Sequence, residues 1–226
     1  ALGRVAEAFG GSGTVAFLGS GNLTTEEGYL LGKIADHAGS EHRALPVDLG
    51  PARTIPNLKG GISGREAVPN RRGVELAGFV AGGKGMSATD LLEGDGAQGC
   101  SVLFVADSDF GHEAHDPAVV ERLRRAKTLV VMGWADTPLS RAADVALPVA
   151  THAEREGTFV NVEGRLQAFA RCFSAPGQAR PGVEALAELL ARLTGGTSEA
   201  TDAAGVFAAM ARQVAALDGL HLAGLP

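Results

Sequence analysis

Apolar and polar positions along the chain fall into two recurring patterns. The first is a short, nearly continuous apolar run bounded by turn residues, as in Thr14–Leu18 (TVAFL), too short for a helix and read as a buried strand. Ser101–Ala106 and Thr128–Met132 repeat it; Ala44–Val47 and Asp144–Pro148 are weaker instances. The second pattern is helical spacing. Thr24 and Glu27 stand at the separation of a capping box, which predicts a helix over about Thr25 to Ala38. Pro117–Ala126 reads as a helix with a basic last turn (Arg122, Arg124, Arg125), favourable at the negative end of its dipole. Leu139–Ala143 supplies one further helical turn. Strands alternating with helices predict an α/β fold, a doubly wound and mainly parallel sheet over residues 1–150, whose strand-end loops share one edge.

Residues 48–85 interrupt the alternation. Many glycines, Pro51, Pro56, Pro69 and the Arg71-Arg72 pair predict a long irregular excursion, of the kind that is usually functional or packs on another body. Ser87 and Asp90 then cap a short helix, Ala88–Leu92. After Pro148 the pattern changes again. Thr158–Val162 and Leu166–Ala170 are short β-type runs, with Gly157 and Gly164 bracketing the first, so 151–181 is expected to form a β-hairpin arm and an extended linker. Val183–Leu193 and Ala200–Leu217 have helical spacing, joined through 194–199, and make 182–226 a helical tail.

A length of 226 residues is enough for a full core. The net charge of −6 argues against nucleic acid as a partner, because phosphate binding needs a basic surface. No apolar run reaches the ~20 residues of a membrane-spanning helix, and no secretory signal is visible. The chain opens at Ala1, already inside an apparent helix (Leu2, Val5, Ala6, Phe9), which reads as a fragment or a processed chain. Its only cysteines are Cys100 and Cys172. A [4Fe–4S] cluster takes about four thiolates, so this stretch does not hold one alone; two buried or inert thiols in a reduced compartment are the expectation.

Three loops carry candidate chemistry. Gly19-Ser20-Gly21 opens like a dinucleotide-binding turn, but Thr24 stands at the third glycine position, and Glu26 and Glu27 place two negative charges where a pyrophosphate would sit. The residues after Ala106 bring together Asp107, Asp109, His112, Glu113, His115 and Asp116; imidazole with carboxylate suits a divalent metal, though His112 and His115 lack the zincin spacing, and solvated loop residues capping the next helix are the plainer reading. His152 beside Glu154 and Glu156 has the elements of an acid–base site but no nucleophile, and reads better as an ion-paired hinge. Arg165, Arg171 and Arg180 line the arm and its exit, suited to an anionic cofactor or to pairing with acidic neighbours. Trp134 is a packing anchor or a subunit contact.

One segment also carries a resemblance. The pattern E-x-x-GTF-x-N-x-EGR-x-Q over Glu154–Gln167, followed by Ala175–Pro181 (APGQARP), resembles the large iron–sulfur subunit of NADH:quinone oxidoreductase, respiratory complex I, a branch of the molybdopterin oxidoreductase superfamily. Phe17-Leu18-Gly19, Thr25-Glu26-Glu27, Tyr29-Leu30-Leu31 and Ala143–Pro148 (ADVALP) are similar to the same family, so the resemblance covers roughly residues 14–195. Formate dehydrogenases of that superfamily usually have ERR where this chain has Glu163-Gly164-Arg165, so Gly164 favours the complex I branch.

The resemblance implies a non-catalytic structural domain of a peripheral-arm subunit, on the cytoplasmic side of the inner (plasma) membrane and without direct insertion into it. It would dock on neighbouring subunits and on iron–sulfur domains of its own polypeptide, with the clusters elsewhere. Where cofactor-bearing relatives have a glycine- and asparagine-containing loop, Asp107-Ser108-Asp109 stands here, so a degenerate site without molybdopterin is expected at Gly19, Ser20, Gly21, Asp107, Asp109 and Arg165. Two other readings stay open: a fragment of a formate dehydrogenase-like enzyme that binds a pterin dinucleotide, and a free-standing module that binds a small anion at Gly19–Thr24.

Overall fold

A computed structural model describes residues 1–46, 49–53, 64–66, 68–80, 85–107, 113–196 and 200–226, with the backbone alone of 49–53, 64–66 and 113. The elements in chain order are α1 (Leu2–Phe9), β1 (Thr14–Leu18), α2 (Thr25–His37), β2 (His42–Ala44), β3 (Leu49–Arg53), β4 (Gly64–Glu66), α3 (Arg71–Leu76), α4 (Ala88–Leu92), β5 (Cys100–Ala106), α5 (Pro117–Leu123), β6 (Leu129–Gly133), α6 (Pro138–Ala142), β7 (Val145–Pro148), β8 (Gly157–Val160), β9 (Leu166–Phe169), α7 (Gly182–Thr194) and α8 (Ala203–Ala211). Short 3₁₀ turns lie at Gly96–Gly99, Glu113–His115, Ala215–Leu217 and Leu222–Gly224.

Five strands form one parallel sheet in the order β2-β1-β5-β6-β7. Period-two alternation divides their side chains between two cores. Val15, Phe17, Val102, Phe104, Val130 and Met132 meet α1, α2, α7 and α8 on one face. Ala16, Leu18, Leu103, Val105, Leu129 and Val131 meet α4, α5 and α6 on the other. Strands covered on both faces have to be apolar throughout, which is why β1, β5 and β6 read as continuous runs. At the edge, β7 keeps a strict alternation, with Val145 and Leu147 buried and Ala146 and Pro148 exposed. The doubly wound α/β architecture expected from the sequence is the one observed.

Several boundaries differ. The second strand lies at His42–Ala44 rather than Ala44–Val47, paired with Ala16–Leu18 of β1. The irregular excursion contains regular structure: β3 and β4 pair antiparallel, and α3 follows. Sequence pattern misses α3 because it spans only six residues, contains Gly73 and has no capping side-chain hydrogen bond at Asn70. The last long helix is shorter than its apolar spacing, ending at Ala211 before a 3₁₀ turn at Ala215–Leu217.

Candidate functional site

Strand order reverses between β1 and β5, since the chain runs from β1 to β2 on one side and later enters β5 on the other. In open α/β sheets the crevice beyond the carboxyl ends of two such strands is where ligands bind. Leu18 pairs with Val105 there, so the fold brings the Gly19–Thr24 turn and Asp107 to one place, although they lie far apart in sequence. Asp107 is buried, with φ of 70°, and its N–H donates to the Met132 carbonyl oxygen at 2.6 Å. Asp109 and His112 lie outside the described residues. His115 is exposed in its 3₁₀ turn, and no metal-competent cluster of His, Cys, Asp or Glu is found among the described residues.

The capping box starts α2 as predicted: Glu27 N–H donates to Thr24 Oγ1 at 3.1 Å and Thr24 N–H to Glu27 Oε2 at 2.8 Å. What sequence does not foresee is the burial of the whole helix start, with Thr24, Thr25, Glu26 and Glu27 all 1% exposed or less. The β8–β9 hairpin lies over it. Thr158 and Val160 of β8 point their N–H groups away from β9, and two side chains receive them. Thr158 N–H and Oγ1–H donate to Glu26 at 3.0 and 2.8 Å, and Val160 N–H donates to Asn70 Oδ1 at 2.7 Å. Thr25 Oγ1–H donates in turn to the Thr158 carbonyl oxygen, and Asn70 Nδ2–H to that of Leu23. An otherwise open strand edge is thus paired to side chains rather than to another strand.

Arg155, just before β8, completes the arrangement. Its Nη1 donates to both oxygens of Glu27 at 2.8 and 2.9 Å, and its Nη2 to the Asn22 carbonyl oxygen at 2.8 Å. Gly182, the first residue of α7, approaches so closely that a Cβ there would overlap Glu27 Oε1. Glu27 therefore sits at the positive ends of two helices while paired with a guanidinium. Glu26 has the backbone and hydroxyl of Thr158 but no ion pair among the described residues, and burial pushes its carboxyl up to about 7.

The hinge expected at His152–Glu156 is ion-paired, but through Arg155 to Glu27 rather than within its own run; His152 itself is exposed, and Glu154 accepts from Thr151 N–H. Arg180 pairs with Glu188 at 2.6 Å, while Arg165 and Arg171 are exposed. Trp134 is 46% exposed, so it is not a buried anchor. Both cysteines are free; Cys100 is buried and Cys172 is exposed. No helix among the described residues is long and apolar enough to cross a membrane.

A parallel five-stranded sheet wound on both faces, with a hairpin laid over the start of α2, defines the class of domain. The family model for molybdopterin oxidoreductases matches residues 52–192, more than half of the chain, and the protein belongs to that family. Over 128 residues it is 35% identical to one of the subunits of NADH-quinone oxidoreductase from Rhizobium meliloti, covering 56% of this chain and 15% of the relative. Over 77 residues it is 39% identical to an alpha subunit of formate dehydrogenase from Methanococcus maripaludis, covering 34% and 10%. A nitrate reductase from Symbiobacterium thermophilum is 30% identical over 109 residues, covering 48% and 14%. The chain thus spans between 10% and 15% of the length of these relatives.

The family description implies a pterin cofactor. A phosphate-bearing form fits poorly at the turn after β1. Glu26 and Glu27 are buried in the first turn of α2, where Glu27 caps Thr24 N–H, and Asp107 ends the strand that neighbours the one leading into the Gly19 turn. The backbone where a phosphate would lie is also occupied: a Cβ on Gly19 would come within 2.6 Å of the Phe79 ring, and one on Gly21 would overlap Val68. Glycine here admits the chain's own side chains.

Proposed function

We propose that this chain is a non-catalytic structural domain of the large peripheral-arm subunit of an NADH:quinone oxidoreductase, supporting a complex that passes electrons from NADH through iron–sulfur clusters to quinone. The observation that carries the reading is the buried Glu26–Glu27–Arg155–Thr158 arrangement, which spends the α2 N-terminus and the arm on each other. Gly19, Ser20, Gly21, Asp107, Asp109 and Arg165 are then the remains of a cofactor site. The clusters lie in other domains of the same polypeptide, and the arm sits on the cytoplasmic side of the membrane. Exposed Trp134 is suited to a contact with a neighbouring subunit.

The identity with the formate dehydrogenase alpha subunit favours a second reading, a pterin-binding fragment of such an enzyme. Substitution in the parent complex separates the two. On the structural reading, Arg155→Ala lowers the amount of assembled complex while complexes that do form keep their turnover, and Asp107→Asn leaves both unchanged. Loss of turnover at full assembly in Asp107→Asn contradicts it.

A further inference from the structure

Many arginines elsewhere in the fold are neutralised. Among the described residues, Arg43, Arg71, Arg124, Arg125, Arg141, Arg155, Arg180 and Arg192 each pair with a carboxylate. Lys33 and Arg212 are not among them, and both line one cavity. Between α2, α7 and α8 lies an open cavity of about 440 Å³ whose floor is formed by Leu30, Leu190, Val206 and Ala209. Its rim carries Lys33, His37 and Arg212, and no carboxylate is among its described lining residues. Lys33 and His37 are four apart on α2, hence on one face of it. The Lys33 ammonium is held 5.3 Å from the Tyr29 ring centroid, and no ion pair to a carboxylate is found for any of the three groups among the described residues.

Two like charges on one rim, Lys33 and Arg212, destabilise one another unless a counter-charge joins them. They stand over apolar surface, in a chain whose net charge is −6. The volume falls within the ~300–1,000 Å³ of small-molecule sites, which typically combine an apolar lining with a few placed polar groups. We propose that this cavity binds a single-chain anionic amphiphile, an alkyl tail bearing a carboxylate. The tail lies on Leu30, Leu190 and Val206, and the head is received by Lys33 and Arg212. This assignment is independent of the function proposed above.

The chain's single tyrosine, Tyr29, lines the cavity, so ring-¹³C-tyrosine labelling gives one set of signals that reports it. The full chain is titrated with dodecanoate, dodecanol and acetate, each below its aggregation threshold. Dodecanoate is expected to shift the Tyr29 signals saturably, with dodecanol and acetate each about tenfold or more weaker, as expected when a charge-assisted contact or the apolar tail is lost. Lys33→Glu with Arg212→Glu is expected to weaken dodecanoate by about tenfold or more, and Lys33→Arg with Arg212→Lys to retain it. No saturable shift with dodecanoate overturns the assignment, and so does equal binding of dodecanol. The comparison of the three probes uses the unaltered chain, so it stands whatever the variants do to folding.

Discussion

Arg155 and Glu27 are 128 residues apart in sequence and form a buried ion pair, with side chains 6% and 1% exposed. The pair joins the first crossover helix of the sheet to the base of the hairpin. A buried pair of this kind is weak evidence of net stabilisation, because desolvation offsets much of the attraction; removing one partner, by contrast, strands a charge.

Arg155→Ala is therefore expected to destabilise the protein by about 3–5 kcal/mol, and Arg155→Met with Glu27→Leu by clearly less. Urea unfolding of the three proteins checks it. Equal losses in single and double variants would mean that the pair does not act as a unit.

Glu26 gives a pH dependence of defined sign. Its carboxyl titrates near 7 in the folded chain against 4.5 for the ordinary group. The folded state thus holds a proton that the unfolded state releases. Its contribution is fully present below pH 4.5, declines as pH rises through 7 and is then lost, on the order of 3 kcal/mol in all. Glu26→Gln keeps an acceptor for Thr158 and should flatten that decline between pH 4.5 and 7. An unchanged slope in chemical denaturation across that range would remove Glu26 as its source.

Asn70 serves two elements at once, accepting from Val160 N–H and donating to the Leu23 carbonyl oxygen. Asn70→Ala leaves both buried groups unpaired, at about 1–3 kcal/mol each. Asn70→Asp should also be destabilising, since it retains the acceptor but replaces the donor with an oxygen facing Leu23. Amide exchange at Val160 is the local readout: faster exchange is expected in Asn70→Ala, and unchanged exchange contradicts the role.

Gly21 is filled from outside by Val68. Gly21→Ala should cost about 1–3 kcal/mol by overpacking, and Val68→Ala in the same chain should recover part of it. Thermal melts of the single and double variants decide it; additive losses would refute the contact.

These residues also mark where sequence reading stops. The runs of β1, β5 and β6, the capping boxes at Thr24–Glu27 and Ser87–Asp90, and the hairpin are encoded by neighbours a few positions apart. Placing Asp107 with the Gly19 turn needs only the parallel alternation. The partner of Arg155 is different, because several carboxylates stand closer in sequence and only the fold selects Glu27. Asn70 lies in a stretch rich in turn residues, and nothing local signals that its side chain would complete a strand edge. The burial of Glu26 and Glu27 also runs against their appearance, since acidic residues in a first helical turn usually face solvent.

The central claim is that the α2 N-terminus and its turn are spent on the chain's own arm and carry no pterin. The most direct test is the metal and pterin content of the natively purified full-length parent, measured by elemental analysis together with a pterin assay. Iron without molybdenum, tungsten or pterin is the predicted result. Stoichiometric pterin with molybdenum or tungsten, traced to this domain, would contradict it.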